Sequence, residues 1–130
     1  MRNSVRIAIS VLAALCIHGK AVAGSTSCST TTSGTPYCSY TGKVVQAYVN
    51  DSNLVILYLD TNFTQTQLTA VGITGVTNLS SVARQISTDP EFSKMLYATM
   101  LAAKVSDSTV TVQMKGVYNG YLEIDKIWLK

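Results

Sequence analysis

Once the first 23 residues are set aside, the chain has no histidine: the only one among its 130 residues is His18. That absence removes the Ser-His-Asp and Cys-His arrangements of nucleophilic catalysis, and the common zinc sites built on imidazole. Charge is scarce as well, with Asp, Glu, Lys and Arg making up 13% of the sequence. Arg2, Arg6 and Lys20 precede position 24 and every acidic residue follows it, so the ten basic residues fall to seven against seven acidic. A neutral surface with scattered cations supplies no long-range field for a phosphate backbone, which argues against a nucleic-acid ligand. Long apolar runs are also missing: Ile7 to Ile17 is too short for the ~20 residues of a membrane span, and no other segment comes near that length.

That short run has another reading. Arg2 and Arg6 flank a polar start, the apolar run follows, and Ala21-Val22-Ala23 places small residues where a signal peptidase reads them. The expectation is an export signal over residues 1–23, cleavage after Ala23, and a soluble periplasmic or secreted protein of about 107 residues forming one domain. Cys16 follows the bulky Leu15, which fits a lipid-attachment site poorly. The other two cysteines, Cys28 and Cys38, should pair in an oxidising compartment and close a loop of about ten residues. A redox or metal role would want CxxC spacing or histidine partners.

Residues 24–40 are rich in Ser, Thr and Gly and are expected to form a loop pinned by that disulfide. Lys43 to Val49 and Leu54 to Leu59 read as strands around the Asn50-Asp51-Ser52-Asn53 turn, the second apolar enough for burial on both faces or at an oligomer contact. Between Thr61 and Thr88 the apolar residues keep no clean period, and a strand near Gln67–Ile73 followed by a loop is expected. A helix should begin at Thr88 or Asp89, with Pro90 in its first turn and Glu91 completing a capping box with Thr88. Its core face is read as Phe92, Met95, Leu96, Thr99, Met100 and Ala103. Thr109 to Lys115 alternates like a half-buried strand, and Asn119-Gly120 signals a hairpin into a last strand from Leu122 to Leu129. The pattern predicts a mainly β fold, a small OB-fold-like five-stranded barrel with one helix between strands 3 and 4; the runner-up is an open antiparallel sheet with one helix.

Binding is the class these residues favour over catalysis, and no cofactor is expected. Glu123 and Asp125 alternate along one strand as a carboxylate pair might, but the same pattern describes the solvated face of an edge strand. Tyrosine is the prominent aromatic, seven in all and every one after residue 23. It offers a flat apolar face and a hydroxyl, which suits a sugar ring or a protein surface. Tyr48, Tyr58 and Tyr97 sit in apolar runs and read as core or subunit contact, whereas Tyr37, Tyr40, Tyr118 and Tyr121 fall in loops or at strand ends and are the candidate ligand residues. Lys104 offers a cation to an acidic sugar, and Trp128 reads as a core or rim residue.

Tyr40-Thr41-Gly42-Lys43-Val44-Val45 resembles the entry into the first strand of the receptor-binding B subunits of AB5 toxins, of the subtilase-cytotoxin and pertussis-toxin kind. Ser93 to Val112 is similar to their helix and following strand, with Leu96-Tyr97, Leu101 and Val110 in matching places. The likeness covers about a third of the exported part. It implies a non-enzymatic subunit that binds sialylated or related cell-surface glycans, forms a ring of five through strand edges with its helices lining the centre, and carries a separate catalytic A subunit. In that family a hydroxyl at the start of the first strand bonds the sugar, and Thr41 holds the matching position; the aromatic near the helix end is replaced here by Ala102-Ala103-Lys104. The competing reading is a small bacterial periplasmic protein that binds another protein of the envelope.

Overall fold

In the computed structural model, residues 22–130 are described; the export signal expected over residues 1–23 lies outside them except for its last two residues. The elements in order are β1 (Ser25–Thr30), β2 (Pro36–Val49), β3 (Leu54–Leu59), α1 (Gln65–Ala70), β4 (Ser81–Gln85), a 3-10 turn (Ile86–Thr88), α2 (Pro90–Val105), β5 (Thr109–Tyr118) and β6 (Tyr121–Leu129). The strands lie in the order β1-β2-β3-β4-β6-β5, and a further β2–β5 pairing closes the sheet into a barrel-like ring. Neighbours are antiparallel except β4 and β6, which run parallel at Val82–Leu122 and Ala83–Glu123. Strands β2 to β6, with α2 after the third of them, thus form the small OB-fold-like barrel.

The barrel closes because β2 is long and bent. Cys38 to Lys43 pair with β5, and Val44 to Val49 pair with β3, with a bulge between Val44 and Gln46 just after the pairing passes from one neighbour to the other. The extra residue inverts the alternation. Cys38, Tyr40 and Val44 point into the main core before the bulge, Ala47 packs against it afterwards, and Tyr48 is left on the outer face. Strand β3 is buried on both faces, as its sequence implies: Val55, Leu57 and Leu59 join the core, while Leu54 and Ile56 lie under a second cluster outside the barrel.

Three segments depart from the sequence reading. Residues 24–40 are a β-hairpin instead of a pinned loop, with β1 paired to β2 from Ser25–Thr41 through Thr30–Pro36 and the Cys28–Cys38 disulfide joining directly opposed residues. Main-chain pairing and the covalent bond hold a strand that has almost no apolar side chains of its own. The stretch expected as a strand at Gln67–Ile73 is largely α1, because Thr64 and Gln67 form a reciprocal cap: Gln67 N–H donates to Thr64 Oγ1 at 3.2 Å, and Thr64 N–H donates to Gln67 Oε1 at 2.9 Å. Leu68, wholly buried, anchors this turn. The expected loop contains β4, so the barrel has its five strands and β1 makes six.

Helix α2 starts as predicted, and of its two candidate caps, the Thr88 hydroxyl and the Asp89 carboxylate, the second serves: Asp89 Oδ1 accepts from Phe92 N–H at 2.9 Å. Thr88 belongs to the 3-10 turn and Glu91 pairs with Lys94 at 2.7 Å, so the box expected between Thr88 and Glu91 does not form. Leu96, Met100 and Ala103 are buried against the barrel, whereas Met95, expected on that face, is 64% exposed and Ser93 is buried in its stead. Burying Leu96 and Met100 is worth about 1.5–3 kcal/mol each in transfer free energy. Asn119 and Gly120 both have positive φ, at 50° and 82°, as a tight two-residue hairpin requires.

Candidate functional site

Antiparallel partners share a face, so register alone places four side chains in a row across the outside of the barrel. Ser25 of β1 is opposite Thr41 of β2, Thr41 is opposite Thr111 of β5, and Thr111 is opposite Trp128 of β6. The Thr41 and Thr111 hydroxyls are 3.0 Å apart and hydrogen-bonded to one another. Thr111 is nearly enclosed, while Trp128 is 44% exposed. Of the two readings of Trp128, core or rim, this outward placement leaves the rim. A register shift between Gln113 and Met114 leaves Asp125 as an extra residue, so Leu122 and Ile124 face the core before it and Ile127 packs there after it.

Two residues further along β2, about 6.6–7 Å away and on the same face as Thr41, is Lys43. It forms one wall of a recess of about 270 Å³ between β2 and the end of α2, lined also by Val44, Val45, Ala103, Lys104, Asp107 and Ser108. The Lys43 ammonium donates to the Asp107 main-chain oxygen and stands 3.2 Å from Asp107 Oδ1. Across the recess, the Lys104 ammonium donates to the Val45 carbonyl at 2.8 Å. Two cations against one carboxylate make the recess locally positive, although residues 24–130 as a whole are balanced.

The six sequence-predicted site residues separate. Thr41 and Lys104 come to one region of the surface, joined by Lys43. Tyr37 lies on the same outer face of β2 as Thr41, four residues earlier and roughly 13 Å along the strand. Tyr40 is the correction: it is in the middle of β2 and 0% exposed, so its ring has no surface to offer a ligand. Its hydroxyl is 2.6 Å from the Lys43 carbonyl and 2.9 Å from Asp60 Oδ1, and burial, reinforced by the Asp60 carboxylate, holds the phenol well above its ordinary pKa.

Tyr118 is at the other end of β5, on the order of 20 Å from Thr111 along the strand. There it joins Tyr48, Tyr58 and Tyr121 over the buried Leu54, Ile56 and Ala83. The rings of Tyr48 and Tyr58 stack with centroids 6.1 Å apart and planes at 21°. Interaction with the Tyr58 hydroxyl, followed by burial, raises the pKa of Tyr48. These four tyrosines roof a small apolar cluster, which explains how β3 can be apolar on both faces. Tyr97, by contrast, packs partly buried against the main core.

Glu123 and Asp125 meet separate partners. Glu123 Oε1 is 3.2 Å from Arg84 Nη1, and Asp125 Oδ2 is 3.3 Å from Lys115 Nζ, so each carboxylate faces its own cation. Arg84 is further held by the Ile124 carbonyl at 3.2 Å and lies over the Phe92 ring at 5.3 Å.

Sequence reasoning missed Lys43, Thr111 and Trp128 as members of this surface. Thr111 reaches Thr41 only through the β2–β5 closure, 70 residues away in sequence. Comparison of the chain with protein-family models, with curated proteins and with solved structures finds no match.

Proposed function

We propose that this is an exported, non-enzymatic protein that binds an acidic glycan through the face containing Thr41, Thr111, Trp128 and the Lys43–Lys104 recess. The observation that carries the reading is the Thr41–Thr111 hydroxyl pair beside an exposed indole. A sugar ring presents an apolar face to an aromatic side chain and hydroxyls to donors and acceptors at its edge, and a site of this kind needs both within a few ångströms. The two ammoniums of the recess would meet a carboxylate such as that of a sialylated glycan. Assembly into a homopentamer and carriage of a catalytic A subunit belong to the same reading through the toxin resemblance.

The test is binding of the exported protein to an array of sialylated glycans and their desialylated counterparts. Preference for the sialylated set, lost in Thr41→Ala and Trp128→Ala, supports the reading; equal binding of both sets, or none, overturns it.

A second reading, contact with another envelope protein, draws on a different observation. Met95, Leu101 and Val105 on α2 and Val45 and Val49 on β2 are exposed apolar residues, with Val105 at 89%. Light scattering on the oxidised protein separates the two: a mass near five chains favours the toxin-like ring, and a monomer that captures no glycan favours a heterologous protein partner.

A further inference from the structure

Gly24, the first residue after the expected cleavage point, is also the first of the described residues that the barrel holds. Val22 and Ala23 are exposed, and Gly24 is partly buried. Its N–H donates to Asp60 Oδ1 at 3.1 Å, and its carbonyl accepts from Thr61 Oγ1 at 2.9 Å. The same carboxylate meets the Tyr40 hydroxyl at 2.9 Å through Oδ1 and the Lys43 N–H at 3.2 Å through Oδ2. Two main-chain N–H donors, Gly24 before β1 and Lys43 in β2, and the Tyr40 hydroxyl, whose proton is shared with the Lys43 carbonyl at 2.6 Å, therefore converge on one acid just beyond the end of β3.

The approach is so close that only glycine fits. A Cβ at position 24 would overlap Asp60 Oδ1, would lie 2.9 Å from Tyr40 Cε2 and 3.0 Å from the Thr41 carbonyl. Gly42, on the other side of the same network, has no room either: a Cβ there would lie 2.7 Å from Asp60 Oδ1 and overlap the Tyr40 hydroxyl.

We propose that processing converts this contact into an ion pair that locks β1 to the barrel. The proposal rests on the reading of residues 1–23 as an export signal. Hydrolysis of the Ala23–Gly24 peptide adds hydroxide to the Ala23 carbonyl carbon and a proton to the Gly24 nitrogen. The amide N–H that faces Asp60 in the precursor becomes an α-ammonium at neutral pH, since an α-amino group has a pKa of about 7.7–8.0. A hydrogen bond from a neutral amide to a carboxylate thus becomes an ion pair in which donor and acceptor are both charged, which is the stronger contact. The groups facing the amine are Asp60, the Tyr40 phenol and the Lys43 amide; the Lys43 ammonium itself is turned to Asp107. The acid is the only charged group among them. Formation of the lock by cleavage makes β1 tightest only in the processed, exported protein.

The test uses the exported chain purified after processing of the full precursor. Its first residue is read by mass, and its α-amine is acetylated near pH 6.5, where lysine side chains stay protonated. The acetyl group restores the amide that Gly24 carries in the precursor and removes only the charge. Acetylation should lower the unfolding temperature by about 2–5 °C at pH 7, and the difference should vanish at pH 10, where the free amine is neutral as well. It should also vanish in Asp60→Asn; if that variant does not fold, the pH comparison decides alone. A chain that begins elsewhere than Gly24 overturns the cleavage reading and the proposal with it. A chain that begins at Gly24 but unfolds at the same temperature with and without acetylation, or keeps its difference at pH 10, overturns the proposal alone.

Discussion

The hydroxyl of Tyr40 lies 2.6 Å from the carbonyl oxygen of Lys43, three residues along the same strand. In this way a buried phenol ties down β2 just before its bulge, and it also accepts from the Asp60 N–H at 3.3 Å. Tyr40→Phe keeps the ring in the core but leaves these polar groups short of a partner. The expected cost is about 1–3 kcal/mol, measured by denaturant unfolding. The pH dependence has a definite sign. The folded-state pKa of Tyr40 is raised above 10.0, so its contribution is fully present below pH 10 and is lost as the pH climbs beyond it, because the unfolded chain releases the proton first. Tyr40→Phe should flatten that alkaline loss.

The fate of Tyr40 shows where the sequence was legible and where it was not. Strands β2, β3, β5 and β6, helix α2 and the Asn119-Gly120 turn could be read because each has a local signal: alternation, a cap, or a turn dipeptide. Strand β1 has none, since Ser25 to Thr30 contributes hydrogen bonds to β2 instead of apolar side chains to a core, and its presence turned Tyr40 from a strand end into a strand interior. Strand β4 is five residues long and too short to show a period. Gln67 could have been recognised three residues after Thr64 as the box that favours a helical turn over a strand. For the site, Thr41 came from a resemblance and Lys104 from its charge, but the partners Thr111 and Trp128 depend on barrel closure and on a bulge, and neither is a local property.

The cap itself gives a prediction. Thr64→Ala removes the acceptor of the Gln67 N–H and should cost about 0.5–2 kcal/mol, with most of the loss confined to α1 and Leu68 beneath it. Hydrogen exchange would localise it: amides of residues 65–71 should exchange faster while those of β5 keep their protection.

The disulfide joins opposed residues of β1 and β2 across a ten-residue separation. In the chain-entropy picture, a loop of that length is worth about 2–3 kcal/mol. Since β1 lacks an apolar face, its pairing should depend on this bond more than any other strand's does. Replacing Cys28 and Cys38 with serine should lower overall stability by that amount and should expose residues 24–35 to limited proteolysis, while residues 43–130 remain resistant.

Removing single side chains distinguishes a binding face from a structural one. Trp128 is 44% exposed, whereas Tyr58 is partly buried and helps to cover Ile56. Trp128→Ala should therefore cost little stability, within about 1 kcal/mol, and reduce glycan affinity about tenfold or more. Tyr58→Ala should do the reverse, uncovering Leu54 and Ile56 at a cost of about 2–4 kcal/mol and leaving glycan affinity within a factor of two for the fraction that stays folded. Lys104→Ala is the intermediate case. Its ammonium reaches both the Val45 carbonyl and the recess, so a loss of affinity confined to acidic glycans would assign it to the ligand, whereas an equal loss for acidic and neutral glycans would mean that it only shapes the β2 bulge.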